Sequence, residues 1–392
     1  MKSTLASYFE KIYGKPAEVF AQAPGRIEFI GNHTDYNGGF TMGVAIDKIV
    51  MAALAKRDDD KLCFASIRTG EKVYVDINDI KKQNKEHNWV NYPLGVFKYL
   101  LEAGMTANSG FDMLDMSSVP PGAGLSSSAA FEVLVGAMLS GLFWPGRCSP
   151  VEIAQIGQHA ENVYFGKPCG LMDQTASSVG GVVAIDFADP ARPQVEQIPL
   201  DFAATGHALC ILDSGAGHAD LTAEYAAITD ELRAVCRCFG REVLREVPEE
   251  AFLAELPRVR GAAGDRAALR AFHFYAENRR AGEQAQALKN GDFDAFLALV
   301  RDSGRSSALY LQNVVPTGQT AHQELLLTIA LCERILNGRG AVRVHGGGFG
   351  GTAQAFVPVD LLAEFQARTE AVLGAGSCHV LSIRPAGGVR LA

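Results

Sequence analysis

The chain lacks most of what would send it to a membrane, a nucleic acid or an oxidising compartment. Met1 to Gly14 mixes Lys, Tyr, Glu and Phe and holds no apolar stretch of the kind a signal peptide needs. The longest uncharged apolar block, Leu325 to Cys332, falls far short of the roughly 20 residues of a membrane span. Positive charge is in deficit: 36 Lys and Arg against 44 Asp and Glu leave a net charge of -8. That argues against nucleic acid or an anionic membrane as the main partner, though not against a nucleotide held by backbone N–H groups. The eight cysteines are scattered, and Cys236 and Cys238 have a spacing unlike zinc pairs, so reduced thiols in a cytoplasmic protein are expected. No repeat of 20–50 residues and no low-complexity linker is evident.

Two nucleotide signatures are also missing. The P-loop pattern G-x-x-x-x-G-K-[ST] does not occur, since Gly166-Lys167 is followed by Pro168. The protein-kinase H-R-D and D-F-G pair is absent too. Any phosphate chemistry must come from other loops.

What is present is a globular composition, 48% apolar and 20% charged, over 392 residues, a length that suits two domains. Strand patterns cover 19–23, 40–46, 49–56 and 61–67, broken by Asn, Gly and Asp turns. Helical periodicity follows at 92–103, 128–142 and 151–165. The second half reads as a strand at 208–213, helices at 219–239, 265–290 and 319–337, then strands at 342–345 and 352–359. A boundary near 200–206 divides the chain into 1–203 and 204–392, each of α+β class.

Three motifs carry chemistry. The first runs from Gly25 through Arg26, Asn32, His33, Thr34, Asp35, Tyr36 and Asn37 to Gly39. Read as a strand followed by a glycine-bounded loop, it offers several polar side chains to one small ligand. Sugar hydroxyls both donate and accept, and Asp, Asn and His meet both needs; a polar turn between strands is the alternative. The second is Pro120-Pro121-Gly122-Ala123-Gly124-Leu125-Ser126-Ser127-Ser128-Ala129-Ala130, opening directly into a helical pattern. Backbone N–H groups at such a helix start, unobstructed by Cβ atoms, form a phosphate cradle, and a serine at its edge can reach a nucleotide-borne Mg²⁺. A plain Ser N-cap after a glycine turn is the simpler reading, but it leaves three consecutive serines unexplained. The third, His345 to Gly351, satisfies G-x-G-x-x-G, yet a strand and not a helix follows it, so a dinucleotide site is excluded. Its glycines instead permit close approach of a backbone or a ligand.

In this order and spacing the motifs resemble those of the galactokinases in the GHMP kinase superfamily, over nearly the whole chain. The resemblance implies an N-terminal domain like the second domain of ribosomal protein S5 and a ferredoxin-like C-terminal domain, with the site between them. It implies an ATP- and Mg²⁺-dependent sugar-1-kinase, a cytoplasmic monomer acting on a small-molecule sugar. Asp173 and Arg26 then fall on catalytic positions, Gly122 to Ser128 on the phosphate loop, and Ser128 and Glu161 on metal ligands. Asn32, His33, Thr34, Asp35, Gly170 and Tyr225 fall on the sugar side. One departure stands out: Asn32 occupies a position where galactokinases usually carry Glu, and Glu28 one where Asn is usual. Loss of that charge at position 32 would make a uronic acid less disfavoured. Related kinases for galacturonate, N-acetylgalactosamine or arabinose share the nucleotide chemistry and stay open as alternatives. A non-catalytic sugar sensor is a further one, but such homologues carry a damaged second motif, and here it is complete.

Overall fold

The computed structural model describes residues 1–84, 88–120, 124–167, 169–217 and 221–391. In chain order the strands of the first half are β1 (Val19–Ile30), β2 (Phe40–Lys56), β3 (Lys61–Ser66), β4 (Lys72–Asp76), β5 (Phe111–Ser117), β6 (Val182–Asp186) and β7 (Gln194–Ile198). Those of the second are β8 (His207–Asp213), β9 (Ala341–Val344), β10 (Thr352–Pro358), β11 (Cys378–Leu381) and β12 (Val389–Leu391). The larger sheet runs β12-β1-β2-β5-β3-β4, and β6, followed by β7, joins the other stretch of β2. β2 therefore works twice: Phe40 to Val44 pairs with β6, and Val50 to Lys56 pairs with β5. All pairings in this sheet are antiparallel except β3 with β5.

The helices are α1 (Lys2–Tyr13), α2 (Asn91–Glu102), α3 (Ser127–Phe143), α4 (Pro150–His159), α5 (Met172–Val179) and α6 (Thr222–Cys238). They continue as α7 (Glu249–Ala254), α8 (Leu256–Ala263), α9 (Asp265–Lys289), α10 (Phe293–Ser306), α11 (Glu324–Leu336) and α12 (Leu362–Leu373). The smaller sheet is antiparallel in the order β11-β8-β10-β9. With helices between β8 and β9, and α12 between β10 and β11, this is the βαββαβ arrangement of a ferredoxin-like unit.

Two elements differ from the sequence reading in ways that shape the site. β1 does not stop at Ala23 but runs through Gly25 to Ile30, so half of the first motif is strand. Gly25 makes this possible, because a Cβ there would lie 2.8 Å from the Leu125 carbonyl oxygen. Register shifts at Pro24/Arg26 and Glu28/Ile30 bulge the strand and re-aim its side chains. The segment expected as one helix over 151–165 ends its α-helical part at His159 and closes with a π-turn, Ala160–Phe165, which carries Glu161 into the interior.

The main core lies between the larger sheet and α2, α3 and α4. It continues into the second half through Phe29, Phe296 and Phe356, whose rings meet edge to face at 5.1–5.4 Å between centroids. The Phe29 carbonyl accepts from Arg343 Nη1 at 2.8 Å and Gln354 Nε2 at 3.0 Å. β1 is thereby clamped by β9 and β10 alongside the site.

Candidate active site

β1 places Arg26 and Glu28 on one face, two residues apart. The Arg26 guanidinium forms a fork with Asp173, the second residue of α5: Nε donates to Oδ1 at 2.6 Å and Nη2 to Oδ2 at 2.5 Å. Its Nη1 donates to the Gly124 carbonyl at 2.9 Å, and its backbone N–H to that of Leu125 at 3.1 Å. Ser126 adds a hydrogen bond from Oγ to Asp173 Oδ2 at 2.5 Å. Burial opposes ionisation of Asp173, but the charge and hydrogen bonds of Arg26, helped by Ser126, hold it below the usual carboxylate range. The first and second motifs and Asp173 thus meet at one point.

Ser126 precedes α3 with φ of 51°, a left-handed conformation that costs a non-glycine residue free energy. Its hydroxyl does not cap the helix, as a simple N-cap serine would; it goes to Asp173. Gly124 is also left-handed, at φ 68°, while Ser127 and Ser128 begin α3, the former exposed and the latter half-buried. Gly122 and Ala123 lie outside the described residues.

Beside the Arg26–Asp173 pair lies a polar cavity of about 160 Å³, with Glu28, His33, Asp35, Gly170, Gly346 and Gly347 in its wall. Gly31, at φ 107°, turns the chain out of β1, and Thr34 closes the loop by donating to the carbonyls of Gly31 (2.9 Å) and Phe40 (3.1 Å). Thr34 is buried and shapes the loop. Both ring nitrogens of His33 are engaged, Nδ1 with Tyr36 Oη at 2.7 Å and Nε2 with the Gly347 carbonyl at 2.9 Å. A carbonyl only accepts, so Nε2 carries a hydrogen. Burial draws the ring's pKa down to about 4, which leaves it neutral at pH 7 with Nδ1 accepting from Tyr36. Burial pushes Asp35 up to about 6 despite a backbone hydrogen bond from Tyr36, and the charge of Asp173 adds to this. Its Oδ2 sits where a Cβ on Gly170 would be, at 1.5 Å, so Gly170 is what makes room for it.

The third motif forms the far wall. A Cβ on Gly347 would lie 2.7 Å from Tyr225 Cε1, and one on Gly348 would lie 2.0 Å from the Asn313 carbonyl oxygen. Tyr225 donates to the Gly348 carbonyl at 3.0 Å and stacks with His33 at 6.4 Å between centroids, so it backs the wall and is not part of the lining. Asn32 is likewise absent from the lining. It is buried, with Nδ2 donating to the Gly346 carbonyl at 2.8 Å and Oδ1 accepting from Arg343 Nη2. Both ends of its amide are used within the protein. The position whose neutrality suggested tolerance of a uronic acid does not face the cavity, whereas Glu28 does, so that expectation loses its physical basis.

A second cavity of about 370 Å³ adjoins the serine turn. Ser127 and Ser128 share its wall with Trp89, Tyr92, Phe131 and Asp115. Its aromatic rings and position beside the phosphate loop suit a nucleobase. Sequence reading missed it, because Trp89 and Tyr92 stand outside any motif.

Behind Ser128 lies a cluster of buried carboxyl groups. Gln174 Nε2 donates to both Glu132 Oε2 (3.0 Å) and Glu161 Oε2 (3.1 Å), and Glu161 Oε1 accepts from Lys167 Nζ at 2.8 Å. Glu132 lies one turn along α3 from Ser128, hence on the same face. Burial first, then the charge of Glu161, raise its carboxyl well above the usual range, and its Oε1 has no hydrogen-bond partner. Two buried carboxyls and one lysine thus make an oxygen-rich cluster one helical turn from Ser128, and oxygen donors are what a hard divalent cation takes.

Residues 7–56 match the galactokinase galactose-binding signature, and residues 91–181 match the GHMP kinases N-terminal domain. A galactokinase of Actinobacillus pleuropneumoniae serotype 5b (strain L20) is 34% identical over 352 residues, covering 89% of this chain and 88% of that protein. A crystal structure of Lactococcus lactis galactokinase complexed with galactose superposes with a TM-score of 0.85 over 100% of both chains, at 28% identity. A mevalonate kinase structure shares the fold at a TM-score of 0.65 and 16% identity, covering 93% of this chain and 99% of that one.

Proposed function

From the premise that this chain belongs to the galactokinase family, and is a sugar kinase that uses ATP, we propose that it moves the γ-phosphoryl group of ATP to the anomeric hydroxyl of galactose. The products are galactose 1-phosphate and ADP. The observation that carries this is the Arg26–Asp173 pair on the wall of a small polar cavity, with Ser126 hydrogen-bonded to Asp173 from behind it.

A carboxylate offers about four lone-pair sites. Arg26 fills two on Asp173 and Ser126 a third, which leaves one for the anomeric hydroxyl. Asp173 accepts the proton of that hydroxyl as its oxygen attacks the γ-phosphorus; the bond to the bridging oxygen breaks and ADP leaves with the electron pair. Arg26 keeps Asp173 ionised at neutral pH and spreads positive charge towards the transferring group. A carboxylate held this way is a weak base, which suits a loose transition state where the proton moves late and positioning supplies most of the catalysis.

His33, Asp35 and Gly170 form the sugar side in this reading. Gly124 to Ser128, together with Gly122 and Ala123, form the phosphate side. Mg²⁺ held by Ser128 and Glu161 would supply neutralisation of phosphate charge, and the buried excess of carboxyls around Gln174 supports that assignment. A cytoplasmic monomer fits as well, because all eight cysteines are free thiols and one chain carries every group the reaction needs.

Sugar-dependent ADP release across galactose, N-acetylgalactosamine, galacturonate, glucose and arabinose tests the proposal. Galactose should give the highest kcat/KM, and absence of sugar-dependent release would refute it. Asp173→Asn should lower kcat by at least about 10²-fold while calorimetric galactose binding survives. A kcat within a few-fold of wild type would remove Asp173 from this role.

A further inference from the structure

The cavity holds a carboxyl group that phosphoryl transfer does not use. Glu28 follows Arg26 by two residues on β1 and faces the same way. Across the sheet it pairs with Gly43, whose missing side chain makes room for Ala176 and Met172 of α5. It is only 6% exposed, and its Oε1 is buried with no hydrogen-bond partner. Its main chain is fixed, since its N–H donates to His345 Nε2 at 3.3 Å.

A buried polar atom left unpaired is destabilising and persists where something else satisfies it, a ligand above all. Asn32, the other candidate for this wall, is fully engaged with Gly346 and Arg343. We infer that Glu28 is a specificity-determining residue that binds the sugar directly, its carboxyl hydrogen-bonding a ring hydroxyl other than the anomeric one. This rests on the galactose-kinase reading above and names a contact for it. The charged groups around Glu28 are Arg343, Arg26, Asp35 and Asp173; burial outweighs the two arginines and pushes the carboxyl up to about 8. Near neutral pH it is therefore largely protonated, able to donate through its O–H and accept through its carbonyl oxygen, which matches a hydroxyl that does both.

The test is steady-state kinetics of wild type, Glu28→Ala and Glu28→Asn, with galactose and its four singly deoxygenated forms lacking the 2-, 3-, 4- or 6-hydroxyl. Asparagine is polar and only slightly shorter than glutamate, so that variant keeps the test alive if the alanine variant does not fold. Both variants should raise the KM for galactose about 10-fold, equivalent to about 1.4 kcal/mol, with the KM for ATP within two-fold of wild type. For one deoxygalactose the difference between wild type and variant should vanish, because the partner hydroxyl is already missing. An unchanged galactose KM, or the same penalty for all four deoxy sugars, would overturn the inference. Wild type that turns over no galactose would instead refute the proposed function, so the two failures are distinguishable.

Discussion

Adding one methyl group at Gly170 should separate sugar binding from everything else the protein does. A Cβ there would lie 1.5 Å from Asp35 Oδ2 and 2.5 Å from its Cγ, where real Cβ contacts essentially never fall under 3.0 Å. The carboxylate must therefore retreat by about 1.5 Å or the 169–171 segment must shift. Gly170 has no positive φ, so the alanine backbone itself is unstrained. If Asp35 holds a sugar hydroxyl, the displacement forfeits a hydrogen bond to a charged group, about 1.5–3 kcal/mol. That corresponds to a KM for galactose raised about 10- to 100-fold, with the KM for ATP within two-fold and little change in thermal midpoint. Coupled ADP-release kinetics measure both constants, and calorimetry reads galactose affinity directly. Asp35→Asn provides the second arm: with the carboxylate already weakened, adding Gly170→Ala should cost much less than the sum of the two changes. A galactose KM within two-fold of wild type, or strict additivity in the double variant, would refute the reasoning.

Two further predictions follow from neighbouring contacts. Ser126→Ala removes a hydrogen bond that favours the ionised form of Asp173, so the Asp173 pKa should rise; the acid limb of the pH profile of kcat/KM then moves to higher pH, and an unmoved limb would deny the coupling. Arg343→Ala leaves the Phe29 carbonyl with Gln354 as its one remaining side-chain donor, takes the buried donor from the Asn32 amide oxygen and strips Glu277 of a guanidinium 3.8 Å away. Urea unfolding should show a loss of about 3–5 kcal/mol, and a loss under 1 kcal/mol would mean β1 is not held by this clamp.

The glycines that let backbones approach and the serines opening α3 were legible because they depend on local sequence. Arg26 and Asp173 were singled out by the family resemblance and not by the residues around them. Which side chains face the cavity was not legible. Asn32 was expected on the sugar side and Glu28 was not, and their placement is decided by the bulge between Glu28 and Ile30 and by Arg343, which arrives from β9. The same limit hid β5, whose sequence Phe-Asp-Met-Leu-Asp-Met-Ser carries two buried aspartates. Asp112 survives there because Lys15 and Arg57 reach it at 2.9 and 2.6 Å, contacts no window of sequence contains. Glu132 and Gln174 carry no signal in the sequence; α3, α5 and the π-turn bring them against Glu161.

β2 has one more consequence. Thr41, near its start, borders the small polar chamber, and Val50, past its middle, borders the aromatic one. Both berths are bolted to a single unbroken strut, so their spacing is a fixed gauge that no sliding within the sheet can alter. With sugar in one chamber and nucleobase in the other, as the reading above has it, the phosphates would have to span that interval, and the length of the polyphosphate chain would matter as much as the identity of the base.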